Sequence, residues 1–124
     1  MTRKVLIAED EPNIVVSLEF LLRQSSYDVR VAHDGEEALR LVESFQPDLV
    51  LLDAMMPRKS GLEVCRSIRG NPAWRGTKVV MLSAKGRDSD VLDGLALGAD
   101  AYVTKPFSTK SLLAQVQQLL ATVP

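Results

Sequence analysis

The sequence predicts an α/β fold built on a doubly wound parallel sheet, and three observations support this prediction. Short runs of apolar, often β-branched residues recur along the chain, as at residues 5–8 and 79–82. The segments between these runs are longer and carry apolar residues at helical spacing. The runs themselves do not alternate apolar with polar residues, which is typical of parallel strands covered by helices on both faces.

Five strands are expected, at residues 5–8, 29–31, 49–52, 79–82 and 101–103. The second is the most polar, because Arg30 stands between two valines, and this favours an edge position. Successive parallel strands are joined by right-handed helical crossovers. The predicted strand order is therefore 2-1-3-4-5, the flavodoxin-like arrangement with helices on both faces of the sheet.

Five helices are predicted, one after each strand, and three have recognisable capping residues. Asp34 can cap the second helix, Ser60 and Glu63 form a capping-box pattern for the third, and Ser108 can cap the last. The first and fourth helices are predicted from apolar spacing. The positions that mark them are Ile14, Val15, Leu18, Leu21 and Leu22 in the first, and Val91, Leu92 and Leu95 in the fourth.

Composition limits the class of protein. The 124 residues are 46% hydrophobic and 25% charged, so we expect one globular domain over residues 1–124. The net charge of −1 argues against direct nucleic-acid binding. Cys65 is the only cysteine, so an internal disulfide is impossible, and no apolar run approaches the roughly 18 residues of a membrane span. The expected location is the cytoplasm.

Polar residues follow the strands that border one crevice of this sheet. Glu9 and Asp10 follow the first strand, Asp53 ends the third, Ser83 follows the fourth, and Lys105 follows the fifth. Ligands of such sheets bind beyond the carboxyl ends of the strands, at the point where the strand order reverses. We therefore expect three carboxylates, a hydroxyl and an amine to lie close together.

Three neighbouring carboxylates repel one another, and Lys105 supplies only one positive charge. A hard divalent cation such as Mg²⁺ would complete the balance and suits phosphoryl transfer to a carboxylate nucleophile. Each residue alone has an ordinary explanation: residues 9–12 can be an acidic helix start, Ser83 a turn residue and Lys105 a surface lysine. All of these explanations holding at once in one crevice is a much weaker hypothesis.

Several motifs occur in a distinctive order and spacing. They lie at residues 5–11, 48–53, 80–84 and 98–107, with Met56-Pro57 and Gly61 after the second of them. With them the chain resembles the receiver domains of bacterial two-component response regulators, from residue 4 to about residue 120. The resemblance implies a phosphorylation-dependent signalling switch. Its partners would be a histidine kinase or phosphotransfer protein and a downstream effector domain or protein.

The resemblance also implies roles for individual residues. Asp53 would accept the phosphoryl group, and Lys105 would pair with that group. Asp10 and Asp53 would ligate Mg²⁺ directly, Glu9 through water, and Met55 through its backbone carbonyl.

Further implied roles concern signalling. Ser83 would move to hydrogen-bond a phosphoryl oxygen, and Tyr102 would act as the aromatic switch residue. The signal would leave through the surface of the fourth helix, the fifth strand and the fifth helix. The resemblance further implies a cis peptide bond between Lys105 and Pro106.

Met55 and Lys85 are expected to prolong the phosphorylated state. They stand two residues beyond Asp53 and two beyond Ser83, where they would flank the path of the hydrolytic water. A thioether cannot orient that water through a strong hydrogen bond, and a lysine can hold a phosphoryl oxygen as a point charge.

Two other functions compete with the signalling switch, which is not a turnover enzyme and catalyses only its own phosphorylation and dephosphorylation. A phosphatase of the haloacid-dehalogenase type also uses an aspartate nucleophile, but it needs a second aspartate where this chain has Met55. A scaffold that works without phosphorylation is the other alternative. The intact set of Asp10, Asp53, Ser83 and Lys105 argues against it.

Overall fold

The computed structural model describes residues 2–84 and 98–121 and contains a five-stranded parallel sheet. Its strands are β1 (Lys4–Ala8), β2 (Asp28–Ala32), β3 (Leu49–Asp53), β4 (Lys78–Ala84) and β5 (Ala101–Lys105). They lie in the order β2-β1-β3-β4-β5, all pairs parallel, as the sequence predicts. The order reverses between β1 and β3, which places a crevice at the carboxyl ends of these two strands.

Four α-helices lie within the described residues: α1 (Pro12–Gln24), α2 (Gly35–Phe45), α3 (Gly61–Gly70) and a C-terminal helix (Thr109–Leu120). The predicted caps are confirmed, since the side chains of Asp34, Ser60 and Ser108 each accept a hydrogen bond from a backbone N–H in the first turn of their helix. The fourth helix predicted from Val91, Leu92 and Leu95 lies outside the described residues. None of the described helices has the length and apolar character of a membrane span.

Two hydrophobic clusters cover the two faces of the sheet, because alternate residues of each strand point to opposite faces. Leu6 and Ala8 belong to the cluster under α2 and α3, whereas Val5 and Ile7 belong to the cluster under α1 and the C-terminal helix. Each fully buried leucine contributes about 1.5–3 kcal/mol relative to an exposed one. The sheet is therefore a rigid platform, with the predicted site residues at one of its ends.

The end of the sheet that faces away from the crevice is fastened by Arg69, at the end of α3. Its guanidinium donates hydrogen bonds to the carbonyl of Gly98 at 2.7 Å and to that of Thr77 at 2.8 Å. It also forms an ion pair with Asp100, whose carboxylate accepts a hydrogen bond from the backbone of Val79 at 2.8 Å. These contacts fix the start of β5 against α3 and β4.

Candidate functional site

The predicted site residues come from three neighbouring strands and the turn after a fourth. Glu9 and Asp10 directly follow β1, Asp53 is the last residue of β3, and Lys105 is the last residue of β5. Ser83 lies near the end of β4, one position beyond Leu82, which pairs with Asp53. The parallel register thus brings these side chains to one edge of the sheet.

Three carboxylates form a compact acidic cluster at this edge. One oxygen each from Glu9, Asp10 and Asp53 lies within 4.8 Å of the other two. Glu9 is fully buried and Asp53 is 5% exposed, whereas Asp10 is open to solvent. The burial of Glu9 rules out a solvated acidic helix start at this residue, since a buried carboxylate needs partners.

Backbone amides and one lysine are the partners of the Glu9 carboxylate. Oε2 accepts hydrogen bonds from the amides of Asp10 at 3.0 Å and Glu11 at 3.1 Å. Oε1 forms an ion pair with Lys105 Nζ at 2.8 Å. The same Nζ is 3.4 Å from Asp53 Oδ2, so one ammonium bridges both buried carboxylates.

Glu11 also lies at this site, although the sequence pattern did not indicate it. Its Oε1 lies 3.3 Å from Lys105 Nζ, on the exposed side of the crevice. The sequence places Glu11 just before α1, where an acidic residue also suits the helix dipole, so only the folded structure shows its pairing with β5.

Burial and the nearby Glu9 raise the pKa of Asp53 to about 7, although the Met55 amide and Lys105 act in the opposite direction. For Lys105, burial alone would lower the pKa, but the Glu9 and Asp53 carboxylates outweigh it and the pKa is raised. The lysine thus remains charged, while the aspartate holds a proton far more readily than a solvated carboxyl does.

The backbone around Asp53 is held closely. Its Oδ1 accepts a hydrogen bond from the amide of Met55 at 3.1 Å. A β-carbon built at Gly61 would lie 1.9 Å from the carbonyl oxygen of Asp53, so α3 can begin at this distance only with a glycine. The first residue of α3 therefore packs directly on the backbone that carries the candidate acceptor.

The remaining predicted residues lie at different distances from the cluster. Ser83 is buried beside it on β4, and the Met55 side chain is 52% exposed above it. Tyr102, on β5, is half-buried and packs against the cluster under α2 and α3. Lys85 lies outside the described residues. The peptide bond between Lys105 and Pro106 is cis, as the resemblance implies.

A comparison with protein families decides what kind of domain this is. Residues 5–117 match the family model described as the response regulator receiver domain, which covers most of the chain. The chain belongs to this family. As a receiver domain it takes part in phosphorylation-dependent signalling in two-component systems, and it is a signalling domain rather than a conventional enzyme.

Solved structures support the same assignment. The receiver domain is similar to one from a signal transduction histidine kinase of Syntrophus aciditrophicus, with 33% identity, a TM-score of 0.91, and 98% and 92% of the two chains covered. A Francisella response regulator receiver domain matches with 32% identity, a TM-score of 0.90, and coverage of 99% and 100%. The BeF3-activated DrrB receiver domain matches with 36% identity, a TM-score of 0.87, and coverage of 98% and 99%.

Receiver domains bind Mg²⁺ in an acidic pocket, and the donor set of this chain fits such an ion. Glu9, Asp10 and Asp53 offer oxygen ligands, which are the ligands that Mg²⁺ prefers. Three carboxylates face a single ammonium in this cluster, so an added divalent cation would relieve their repulsion. Because Asp10 is exposed, the cluster also leaves room for the waters that Mg²⁺ usually keeps.

Proposed function

We propose that this receiver domain accepts a phosphoryl group on Asp53 from a histidine kinase or phosphotransfer protein and passes the signal to an effector domain or protein. The observation that carries the proposal is the environment of Asp53. Its carboxylate is nearly buried, adjoins Glu9 and Asp10, and lies 3.4 Å from Lys105 Nζ. A nucleophilic carboxylate beside a fixed cation is the arrangement that phosphoryl transfer needs.

Residues Glu9, Asp10, Asp53 and the Met55 carbonyl are the proposed holders of Mg²⁺. When bound, the metal would neutralise charge on the phosphoryl oxygens. A carboxylate oxygen of Asp53 forms the new bond to phosphorus while the phosphorus–nitrogen bond of the donor histidine breaks. Lys105, held by Glu9 and Glu11 on the other side, offers its ammonium to a phosphoryl oxygen without having to move far.

Signal output is proposed to run through Ser83 and Tyr102 to the surface of the predicted fourth helix, β5 and the C-terminal helix. Ser83 lies beside the acceptor and is paired with Thr104 in the register of β4 and β5. Tyr102 lies two residues before Thr104 on β5. A phosphoryl group shifts the population only if it binds one conformer better than the other. The Ser83 hydroxyl supplies that difference by hydrogen-bonding the phosphoryl oxygen in one conformer.

The remaining parts of the proposal follow from the same role. Residues 1–124 act as a single receiver domain in the cytoplasm, and the domain catalyses its own phosphorylation and dephosphorylation without turning over a separate substrate. Met55 and Lys85 lengthen the phosphorylated state. A phosphatase of the haloacid-dehalogenase type is disfavoured because Met55, two residues after Asp53, cannot donate a proton.

Amide hydrogen exchange tests the switch. We expect beryllofluoride with Mg²⁺ to change exchange over residues 84–110 in the wild type and to leave Asp53→Asn unaffected. Glu43→Ala, an exposed change on the outer side of α2, serves as a control that should behave like the wild type. Exchange that is identical with and without beryllofluoride across this segment would remove the switch mechanism.

A further inference from the structure

The loop that follows Asp53, residues 54–60, is here called the acceptor loop. Two backbone hydrogen bonds fix its base: Ala54 donates to the carbonyl of Leu82 at 2.8 Å, and Gly61 donates to the carbonyl of Ala54 at 3.0 Å. Both bonds lie at the point where the loop leaves β3 and enters α3. In the outer part of the loop, the Lys59 amide donates a hydrogen bond to the Pro57 carbonyl at 2.9 Å, so other contacts are needed to fix this part to the rest of the domain.

The N-terminus of α2 supplies such a contact through its first residue, Gly35. A β-carbon at Gly35 would lie 2.1 Å from the carbonyl oxygen of Lys59 and 2.5 Å from its β-carbon. The Gly35 amide donates a long hydrogen bond of 3.5 Å to the carbonyl of Pro57. Because the first N–H groups of a helix have no partner within the helix and carry a partial positive charge, they attract loop carbonyls.

A second contact joins the same two segments. Arg58 adopts a left-handed backbone conformation with φ of 71°, and its Nε lies 3.5 Å from Asp34 Oδ2. The other oxygen, Asp34 Oδ1, accepts a hydrogen bond from the amide of Glu37 at 2.8 Å and so caps α2. One aspartate therefore both begins the helix and holds the acceptor loop. The Arg58 side chain is largely exposed, so this ion pair contributes less than the backbone packing at Gly35.

We propose that the N-terminus of α2 holds the acceptor loop in position, and that Gly35 is a positioning residue for the metal and phosphoryl site. Gly35 acts through the backbone of Pro57 and Lys59, which fixes the loop that carries Met55. The inference rests on the proposed function, in which the Met55 carbonyl is a ligand of Mg²⁺. Adding a single methyl group at Gly35 would push the loop away from α2 and displace that carbonyl.

The test compares Gly35→Ala with Gly70→Ala in the full chain. A β-carbon at Gly70 would meet nothing within 4 Å, so this variant controls for the loss of a glycine. Calorimetry should show Mg²⁺ binding about tenfold weaker in Gly35→Ala, as for changes that misplace a metal ligand, and unchanged in Gly70→Ala. Amide exchange of residues 54–60 in metal-free protein should be faster in Gly35→Ala alone.

General destabilisation is separated from positioning by Ile68→Val, a core change in α3. This variant should lower thermal stability and leave both Mg²⁺ affinity and exchange of the acceptor loop unchanged. If it weakens Mg²⁺ binding as much as Gly35→Ala does, the proposal that α2 positions the acceptor loop is overturned. The proposal is equally overturned if Gly35→Ala folds, binds Mg²⁺ as tightly as the wild type, and shows unchanged loop exchange.

A second variant keeps the test decisive if Gly35→Ala does not fold. Asp34→Ser retains a good capping oxygen and removes the ion pair with Arg58. We expect this variant to bind Mg²⁺ about twofold more weakly and to show faster amide exchange in the acceptor loop. Wild-type values of both would contradict the proposal that α2 positions this loop. A wild-type protein that does not bind Mg²⁺ at all would instead contradict the proposed function. Amide exchange of residues 54–60 in metal-free protein would still show whether α2 positions the acceptor loop.

Discussion

At Asp53, burial and the neighbouring carboxylate of Glu9 both favour the protonated form and raise the pKa to about 7. The unfolded chain has an ordinary aspartate with a pKa of 3.8. At a pH between these two pKa values, folding without metal is therefore accompanied by uptake of a proton on Asp53. The stabilising contribution of this group is fully present below the unfolded pKa and is lost as the pH rises through the folded one.

This pKa leads to a prediction for metal binding. Below pH about 7, Mg²⁺ must displace the proton of Asp53. The Mg²⁺ affinity should therefore fall by up to about tenfold for each pH unit below that value. Calorimetry of Mg²⁺ binding between pH 5 and 8, in two buffers of different ionisation enthalpy, measures both the affinity and the proton released. Asp53→Asn cannot titrate at this position, so it should bind Mg²⁺ more weakly, because a carboxylate ligand is lost, and without this proton release. A wild-type affinity that does not change across this range would contradict the prediction.

Asp10 offers a direct test of the metal site, because it is the exposed member of the acidic cluster and supports little of the core. Asp10→Ala should weaken Mg²⁺ binding at least about tenfold, since a ligand is lost, with little change in thermal stability. Glu43→Ala removes an exposed carboxylate on α2 and should leave binding unchanged. Equal Mg²⁺ affinity in Asp10→Ala and the wild type would refute a metal site at this crevice.

The lifetime of the phosphorylated protein should depend on Met55 and Lys85. We expect Met55→Asn and Lys85→Glu, singly and together, to accelerate decay, because an amide or carboxylate can orient the attacking water and the lysine no longer holds the phosphoryl group. Decay is followed by intact mass after removal of the phosphodonor. Unchanged or slower decay in all three variants would show that water access at these positions does not govern the lifetime.

At the scale of single elements, α1 carries two large apolar side chains that are exposed. Val16 is 67% exposed and Phe20 is 65% exposed, one turn apart on the same face of the helix. A cavity of about 500 Å³ lies between α1 and the segment after β5, and is lined in part by Ile14, Lys105 and Phe107. Large apolar side chains that are exposed together on one face of a helix are typical of a partner contact.

We therefore expect Val16→Ser with Phe20→Ser to slow phosphoryl transfer from a histidine kinase about tenfold or more, as apolar contacts with the donor are lost. Phosphorylation by a small phosphodonor should proceed at the wild-type rate, since the crevice itself is unchanged. Glu43→Ser on α2 is the matched surface control. Equal slowing with both donors would place the effect in the site rather than in docking.

The elements that the sequence predicts best are those with a local physical signal. The buried strands are uniformly apolar, and Asp34, Ser60 and Ser108 each cap the helix that follows them. The convergence of Glu9, Asp10, Asp53 and Lys105 was also predictable, because parallel strands end at a common edge.

Contacts that do not follow from the strand order were not predictable. The capping pattern marks Asp34 as the start of α2, but the close approach of Gly35 to the Lys59 carbonyl depends on how α2 and the acceptor loop pack together. The same holds for Glu11 beside Lys105 and for Arg69 at the carbonyls of Thr77 and Gly98. No local pattern in the sequence specifies these partners.

At the scale of the whole molecule, two hydrophobic clusters stabilise the sheet between its two ends. One end is fastened by Arg69, and the other holds the acidic cluster with Lys105. This separation allows a buried, like-charged site to persist, because the stabilising packing lies elsewhere in the domain. We therefore expect phosphoryl chemistry to occur at this second end, on Asp53.

Intact mass spectrometry after incubation with a small phosphodonor and Mg²⁺ tests Asp53 as the phosphoryl acceptor. The wild type should gain the mass of one phosphoryl group and lose this gain when Mg²⁺ is chelated beforehand. Asp53→Asn should gain nothing, whereas Asp48→Asn, an aspartate just before β3 at the opposite end of the sheet, should behave like the wild type. An Asp53→Asn protein that acquires the same phosphoryl mass as the wild type would contradict the assignment of Asp53 as the acceptor.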